Sequence, residues 1–236
     1  MTAAIATFTG RMIDVTDPRP DDIDLGDVAH ALALTCRWSG HVTRFYSIAE
    51  HSVRVSYEAE ALARELELET GLVRRVALEG LMHDAEEAYP PGDIAAPFKV
   101  HPLAEPLVEA AERIRAAVCS RFGLLDDLPD LVHQADRVML ATEARDLVAS
   151  DWMPPDAKPQ AHAIEHTWSP DVAELAFLLR FQALTDEPVL PTLRRVLPER
   201  WRVPPSPAPF NRYPDPYPRA DGLIIRMMLD ELGVLT

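Results

Sequence analysis

Apolar residues recur at helical spacing along most of this chain, and the segments carrying them are cut by proline and glycine rather than joined by hairpin turns. Val28, Ala29, Leu32, Ala33 and Cys36 share one helix face, with Asp24 or Asp27 placed to cap it and an end near Trp38, before Gly40. Ser47 can cap the next helix, which carries Ile48, His51 and Val55, then Ala59, Leu62 and Leu66. A third is predicted from Thr70 to Ala88 on Val73, Val76, Ala77, Leu81 and Met82, until Pro90-Pro91-Gly92 stops it. Further helices are predicted near 105–122, 130–150 and 170–185, the last with Pro170 in its first turn. Period-2 alternation never exceeds a few residues, and no Asn-Gly or Asp-Gly turn joins two alternating segments, so residues 5–26 read as irregular. The expected fold class is all-α.

Proline divides the chain. Ten of the 22 prolines fall between Pro188 and Pro218. Residues 1–185 therefore read as one helical domain, and 186–236 as an extended Pro-rich extension ending in a short helix near 219–233. Leu223, Ile224, Met227, Met228 and Leu232 give that helix an apolar stripe to bury on the core or on a partner, which makes a homodimer an expectation.

Charge narrows the partners. Lys and Arg number 23 against 38 Asp and Glu, a net charge of −15. Binding to long nucleic acid or to anionic lipid runs on basic residues, so both are excluded as expectations. The two lysines, Lys99 and Lys158, among so many arginines reflect base composition rather than function. No apolar run reaches the roughly 20 residues of a spanning helix. No basic stretch precedes an apolar one at the N-terminus. Cys36 and Cys119 cannot make a disulfide framework and read as buried free thiols. A soluble, cytoplasmic protein is expected.

The chemistry concentrates around His83-Asp84, which follow the apolar run Leu78–Met82. An ionisable pair there is costly to bury unless it is paired or coordinated. Glu87 stands four residues after His83, on its face if the helix continues, whereas Glu86 points elsewhere, toward solvent. His51 on the preceding helix and Asp136 within Leu131–Leu140 sit at similarly apolar-flanked positions. Each has an ordinary reading, a satisfied core histidine or a salt bridge. Together, His51, His83, Asp84 and Asp136 make a complete nitrogen and oxygen ligand set on three helices, suited to one divalent ion among Co, Mn, Mg, Zn, Fe or Ni. His162 and His166 have i, i+4 spacing but follow Pro154, Pro155 and Pro159, in a stretch read as a loop.

These residues, taken with Cys36–His41, Phe45–Ser52, His83–Tyr89, Gly92–Ile94 and Gln134–Asp136, resemble the HD-domain metal-dependent phosphohydrolases, in their 5′-deoxynucleotidase-like branch. The resemblance spans about 5–185 and implies an HD-type helical bundle. It implies that His51, His83, Asp84 and Asp136 are the metal ligands and that Glu87 orients or deprotonates the attacking water. It further implies that Arg37 grips a substrate phosphate, that Trp38 lies beside the nucleoside, and that Asp93 stands near the leaving sugar oxygen. Pro90 and Pro91 lengthen the connection before Asp93 relative to that pattern. His41, Arg44, Tyr46 and Lys99 are candidates for an outer ring. The function expected is hydrolysis of a (deoxy)nucleoside 5′-monophosphate to nucleoside and phosphate. The alternatives are a dNTP triphosphohydrolase, which needs further cations such as Arg44, Lys99 or Arg137, and a non-catalytic nucleotide- or partner-binding module. A cyclic-dinucleotide phosphodiesterase would carry a Gly-Tyr-Pro element that this sequence lacks.

Overall fold

A computed structural model describes residues 3–189 and residue 192. The remainder of the Pro-rich extension, including the helix expected near 219–233, lies outside the described residues. Seven helices carry the described fold: α1 (Leu25–Leu34), α2 (Ile48–Glu65), α3 (Thr70–Met82), the single turn α4 (Ala96–Lys99), α5 (Glu105–Phe122), α6 (Asp130–Leu147) and α7 (Pro170–Thr185). None of them is long and apolar enough to cross a membrane. One departure from the all-α expectation is a small antiparallel hairpin, β1 (Ala4–Ala6) with β2 (Met12–Asp14), inside the stretch read as irregular. Three residues are too few to show an alternating pattern. The hairpin nevertheless seals the core, because Ile13 is fully buried.

Caps fix where the helices begin. Asp24, not Asp27, caps α1 by accepting the Gly26 amide at 2.8 Å. Asp27 instead accepts the amide and hydroxyl of Thr9, tying the hairpin to the helix. Ser47 caps α2 by accepting the Glu50 amide at 3.0 Å, and Ser169 caps α7. Helix α1 ends at Leu34, earlier than expected. Cys36 leaves it to pair with Ser47 in an isolated antiparallel bridge, so its thiol is only partly buried. That bridge returns the chain directly to the start of α2, and the intervening loop carries Arg37 and Trp38.

Helix α2 is the centre of the packing. Its early turns join α1, the end of α3, α5 and α7 in one apolar cluster around Leu32, Ile48, Leu81, Ile114 and Phe177. Its later turns join α3 and α6 in a second around Val55, Ala59, Val76 and Met139. The α2–α3 contact is close because Gly80 has no side chain. A β-carbon there would stand 3.2 Å from Ser56 Cα and 3.3 Å from Ala59 Cβ. Ser56 Oγ completes the seam by donating to the Ala77 carbonyl at 2.7 Å. On the other side, the buried Arg180 of α7 donates to Ser56 Oγ and pairs with Glu60.

Helix α3 does not run to Ala88. It stops at Met82, and residues 85–88 continue as a 3-10 turn after Asp84 adopts φ −109° and ψ 19°. Neighbouring residues of an unbroken α-helix point about 100° apart. Unwinding at Asp84 brings its carboxylate to the side on which His83 already faces.

Candidate metal centre

His51 enters from the first turn of α2, His83 from the end of α3, Asp84 from the break that follows, and Asp136 from the second turn of α6. His51 Nε2 lies 3.3 Å from His83 Nε2, 3.2 Å from Asp136 Oδ1 and 3.7 Å from Asp84 Oδ2. His83 Nε2 lies 3.2 Å from Asp84 Oδ2 and 3.9 Å from Asp136 Oδ1. Four donors about 2.1 Å from a common centre stand about 3.4 Å apart in a tetrahedron, and cis donors of an octahedron about 3.0 Å. The observed separations, 3.2–3.9 Å, all exceed the octahedral spacing and lie around the tetrahedral one. The His51, His83 and Asp136 group can hold a metal ion.

Hydrogen bonding selects the nitrogens that face inward. His51 Nδ1 lies 2.6 Å from Glu143 Oε1, and His83 Nδ1 lies 2.8 Å from the Gly80 carbonyl. A carbonyl, and a carboxylate held ionised, can only accept, so each Nδ1 carries the proton. In the neutral rings both Nε2 atoms then present lone pairs to each other and to two carboxylates. Such a cluster requires positive charge, which a proton on one ring or a bound cation supplies. Metal-bound histidines are oriented by hydrogen bonds of this kind at the other ring nitrogen.

The electrostatics agree. Burial alone would lower the His83 pKa, but the Asp84 carboxylate, its hydrogen bond and Asp136 overcome that and push it up to about 9. Desolvation disfavours the charged forms of Asp84 and Asp136, yet the adjacent imidazoles hold both carboxyls below their ordinary value. The end of α3 adds the negative pole of its helix dipole. His51 is completely buried, and the Asp136 side chain is 39% exposed, so the centre opens to solvent on the α6 side.

Arg37 and Trp38 line the same centre. Arg37 Nε donates to Glu143 Oε2 at 3.2 Å, and Nη1 donates to Asp84 Oδ2 at 3.3 Å. Burial works against its charge, but Glu143, Asp84 and Asp136 raise its pKa far above the ordinary value, so the guanidinium stays charged. Trp38 Nε1 donates to the same Glu143 oxygen at 3.1 Å, and its indole meets Trp152 edge to face with centroids 5.9 Å apart. Trp38, Ser39 and Gly40 have φ of +57°, +50° and +80°. A bulky residue in that region costs about 1–3 kcal/mol and persists only where surrounding bonds hold it.

Glu87 is buried beside the centre, in the 3-10 turn. Burial, then the charges of Asp84 and Asp93, raises its carboxyl to about 9, with Lys99 Nζ at 3.6 Å from Oε1 working in the other direction. Asp93, half-buried after the two prolines, is therefore close enough to act on Glu87. Glu86 does not turn wholly to solvent: one oxygen is buried, and burial followed by Asp84 lifts its carboxyl to about 7. Of the outer-ring candidates, Lys99 forms an ion pair with a site residue, Glu87. Tyr46 is fully buried, and its backbone carbonyl accepts the Arg37 amide. Arg44 donates to the carbonyls of Ile164 and Glu165, and His41 is exposed. His162 and His166 lie in a loop, as their prolines implied, with exposed side chains.

Sequence reasoning missed Glu143 and Trp152. Glu143 stands seven residues after Asp136, two helical turns along one face of α6. That spacing was the available signal.

No protein-family model matches the chain. An uncharacterized protein of Rhodobacter capsulatus is 40% identical over 140 residues, covering 58% of this chain and 67% of that protein. The uncharacterized protein YfdR of Escherichia coli K12 is 37% identical over 147 residues, covering 62% of this chain and 74% of that protein. Identity of that extent across two thirds or more of each relative places this chain in the family that the two proteins represent.

Proposed function

We propose that the chain is an HD-type metal-dependent phosphohydrolase that converts a deoxynucleoside 5′-monophosphate and water to nucleoside and orthophosphate. The observation that carries this reading is the convergence of two imidazole Nε2 atoms with the carboxylate of Asp136, with Asp84 Oδ2 3.2 Å from His83 Nε2 and each Nδ1 committed elsewhere. The reading takes His51, His83, Asp84 and Asp136 as the four ligands of one divalent ion. Such an ion polarises a phosphoryl group and lowers the pKa of water.

The chain's own residues do the rest. Arg37 offers a planar, permanently charged fork to the phosphoryl oxygens. The half-buried indole of Trp38 offers an apolar surface for a base, a contact worth about 1–3 kcal/mol. Glu87, buried and flanked by Asp84 and Asp93, holds its own proton in the metal-free site; it would accept one from water only once ionised, which the positive charge of a bound ion would favour. The reading assigns Asp93, whose charge acts on Glu87, to the departing sugar oxygen.

Charge supports a monophosphate over a triphosphate. A triphosphate brings three or more negative charges to a site already rich in carboxylates. Arg44 is committed to loop carbonyls, and the cations nearest the site are already paired, Arg37 with Asp84 and Glu143 and Lys99 with Glu87. The test is a screen of dNMPs, NMPs and dNTPs with each of the six metals, separating orthophosphate from inorganic triphosphate. Orthophosphate from dNMPs is expected. Triphosphate from dNTPs would replace the substrate class, and no product with any metal would leave a binding module.

A further inference from the structure

We propose that Glu143 is the positioning residue that fixes the metal ligand His51, the phosphate-facing Arg37 and the base-facing Trp38 in a single arrangement. The roles of those three side chains rest on the function proposed above. The Glu143 side chain is 0% exposed, and both of its oxygens are occupied. Oε1 accepts from His51 Nδ1 at 2.6 Å, while Oε2 accepts from Arg37 Nε at 3.2 Å and Trp38 Nε1 at 3.1 Å. Its donors come from α2 and from the loop before it, about a hundred residues away in sequence. Asp136 stands two turns earlier on the same helix, so one face of α6 supplies a direct donor and the support for another.

Each bond has a consequence that simple core filling lacks. The bond to His51 keeps the proton on Nδ1 and leaves Nε2 as the ligating nitrogen. The bond to Arg37 fixes one edge of the guanidinium plane, whose Nη1 points to Asp84. The bond to Trp38 anchors three successive residues of positive φ. Helix α6 thereby sets the ion, the phosphate grip and the aromatic surface from one carboxylate.

Glu143→Gln has the same shape and one fewer acceptor. If its amide group faces His51, the imidazole proton is driven to Nε2. If it faces Arg37 and Trp38, donor meets donor. Affinity for zinc or manganese alone, measured on the full chain by competition with a chromophoric chelator, is expected to fall about 10- to 100-fold. Helical circular dichroism should be retained. The KM for a dNMP is expected to rise as Arg37 loosens. Glu143→Asp, which keeps the acceptors at shorter reach, should recover part of the metal affinity. A Glu143→Gln chain that folds and binds metal within twofold of wild type overturns the inference.

Should the variant not fold, nitrogen-resolved NMR of the zinc-loaded wild type decides. His51 protonated at Nδ1 supports the inference, and His51 ligating through Nδ1 overturns it. A wild type that binds metal but cleaves no nucleotide sinks the proposed function and leaves Glu143 to be judged on metal affinity. A wild type that cleaves dNMPs alongside an unaffected Glu143→Gln sinks the inference alone. A wild type that binds no metal sinks both.

Discussion

Gly80 is where the packing and the candidate metal centre meet, and its replacement by valine tests that link. A β-carbon at position 80 stands 3.2 Å from Ser56 Cα, 3.3 Å from Ala59 Cβ and 3.4 Å from the Val55 carbonyl oxygen. Ordinary carbon contacts lie near 3.5–4.0 Å, so one added carbon forces α2 and α3 apart by a few tenths of an ångström. Alanine recovers about 1 kcal/mol of helix propensity against about 1–3 kcal/mol for overpacking. Its net cost is therefore about 0–2 kcal/mol. Valine adds two further methyls toward the same backbone and regains less propensity, so about 3 kcal/mol is expected. In a chain of this size each kcal/mol moves Tm by about 2–4 °C, or about 6–12 °C for Gly80→Val. His51 lies one turn before Val55 on α2, and the Gly80 carbonyl holds His83 Nδ1. Widening the seam must therefore loosen the 3.3 Å approach of the two imidazoles and weaken metal binding at least about tenfold in molecules that remain folded. Differential scanning calorimetry of the chelated protein and chelator competition read the two effects separately. A Gly80→Val protein with wild-type Tm and metal affinity would refute the claim that this contact sets the site.

Three more outcomes are expected. A divalent metal at a hundredfold excess over its Kd should stabilise the protein by about 2.7 kcal/mol, raising Tm by about 5–11 °C; Asp136→Ala should show none of this shift in a thermal melt. In the chelated protein, burial opposes the Glu143 charge, but Arg37 and His51 outweigh it and lower the carboxyl from its ordinary 4.5 to about 2. That stabilisation is complete above pH 4.5 and is lost as pH falls toward 2. Urea unfolding at pH 5 and pH 3 should therefore find the wild-type advantage over Glu143→Gln smaller by about 2 kcal/mol at the lower pH, and an unchanged difference would be inconsistent with it. Arg37→Lys keeps a charge but loses the fork, and should cost about 10- to 100-fold in kcat/KM for a dNMP, corresponding to one charge-assisted hydrogen bond.

What could be read in the sequence were features carried by local chemistry. Ser47 and Pro170 mark helix starts because a hydroxyl cap and a proline in the first turn act within a few residues. His51, His83 and Asp136 stood out because a polar ligand-type side chain among apolar neighbours is costly unless it has a partner. What could not be read depends on distant contacts or on breaks in regularity. The apolar pattern through Ala85 and Ala88 extends α3, yet the chain unwinds at Asp84, where the carboxylate turns to the imidazole cluster. Glu143 sits in an ordinary-looking Thr-Glu-Ala-Arg stretch, and its meaning arises only when Arg37, Trp38 and His51 arrive from other elements. The hairpin escaped because its strands are three residues long.

Product stoichiometry with a deoxynucleoside 5′-monophosphate is the most direct measurement of what this centre does. The metal-supplemented full chain should release nucleoside and orthophosphate in equal amounts, with both lost on chelation and in Asp84→Ala. Release by Asp84→Ala at the wild-type rate, or none from wild type with any of the six metals, would contradict the phosphohydrolase reading.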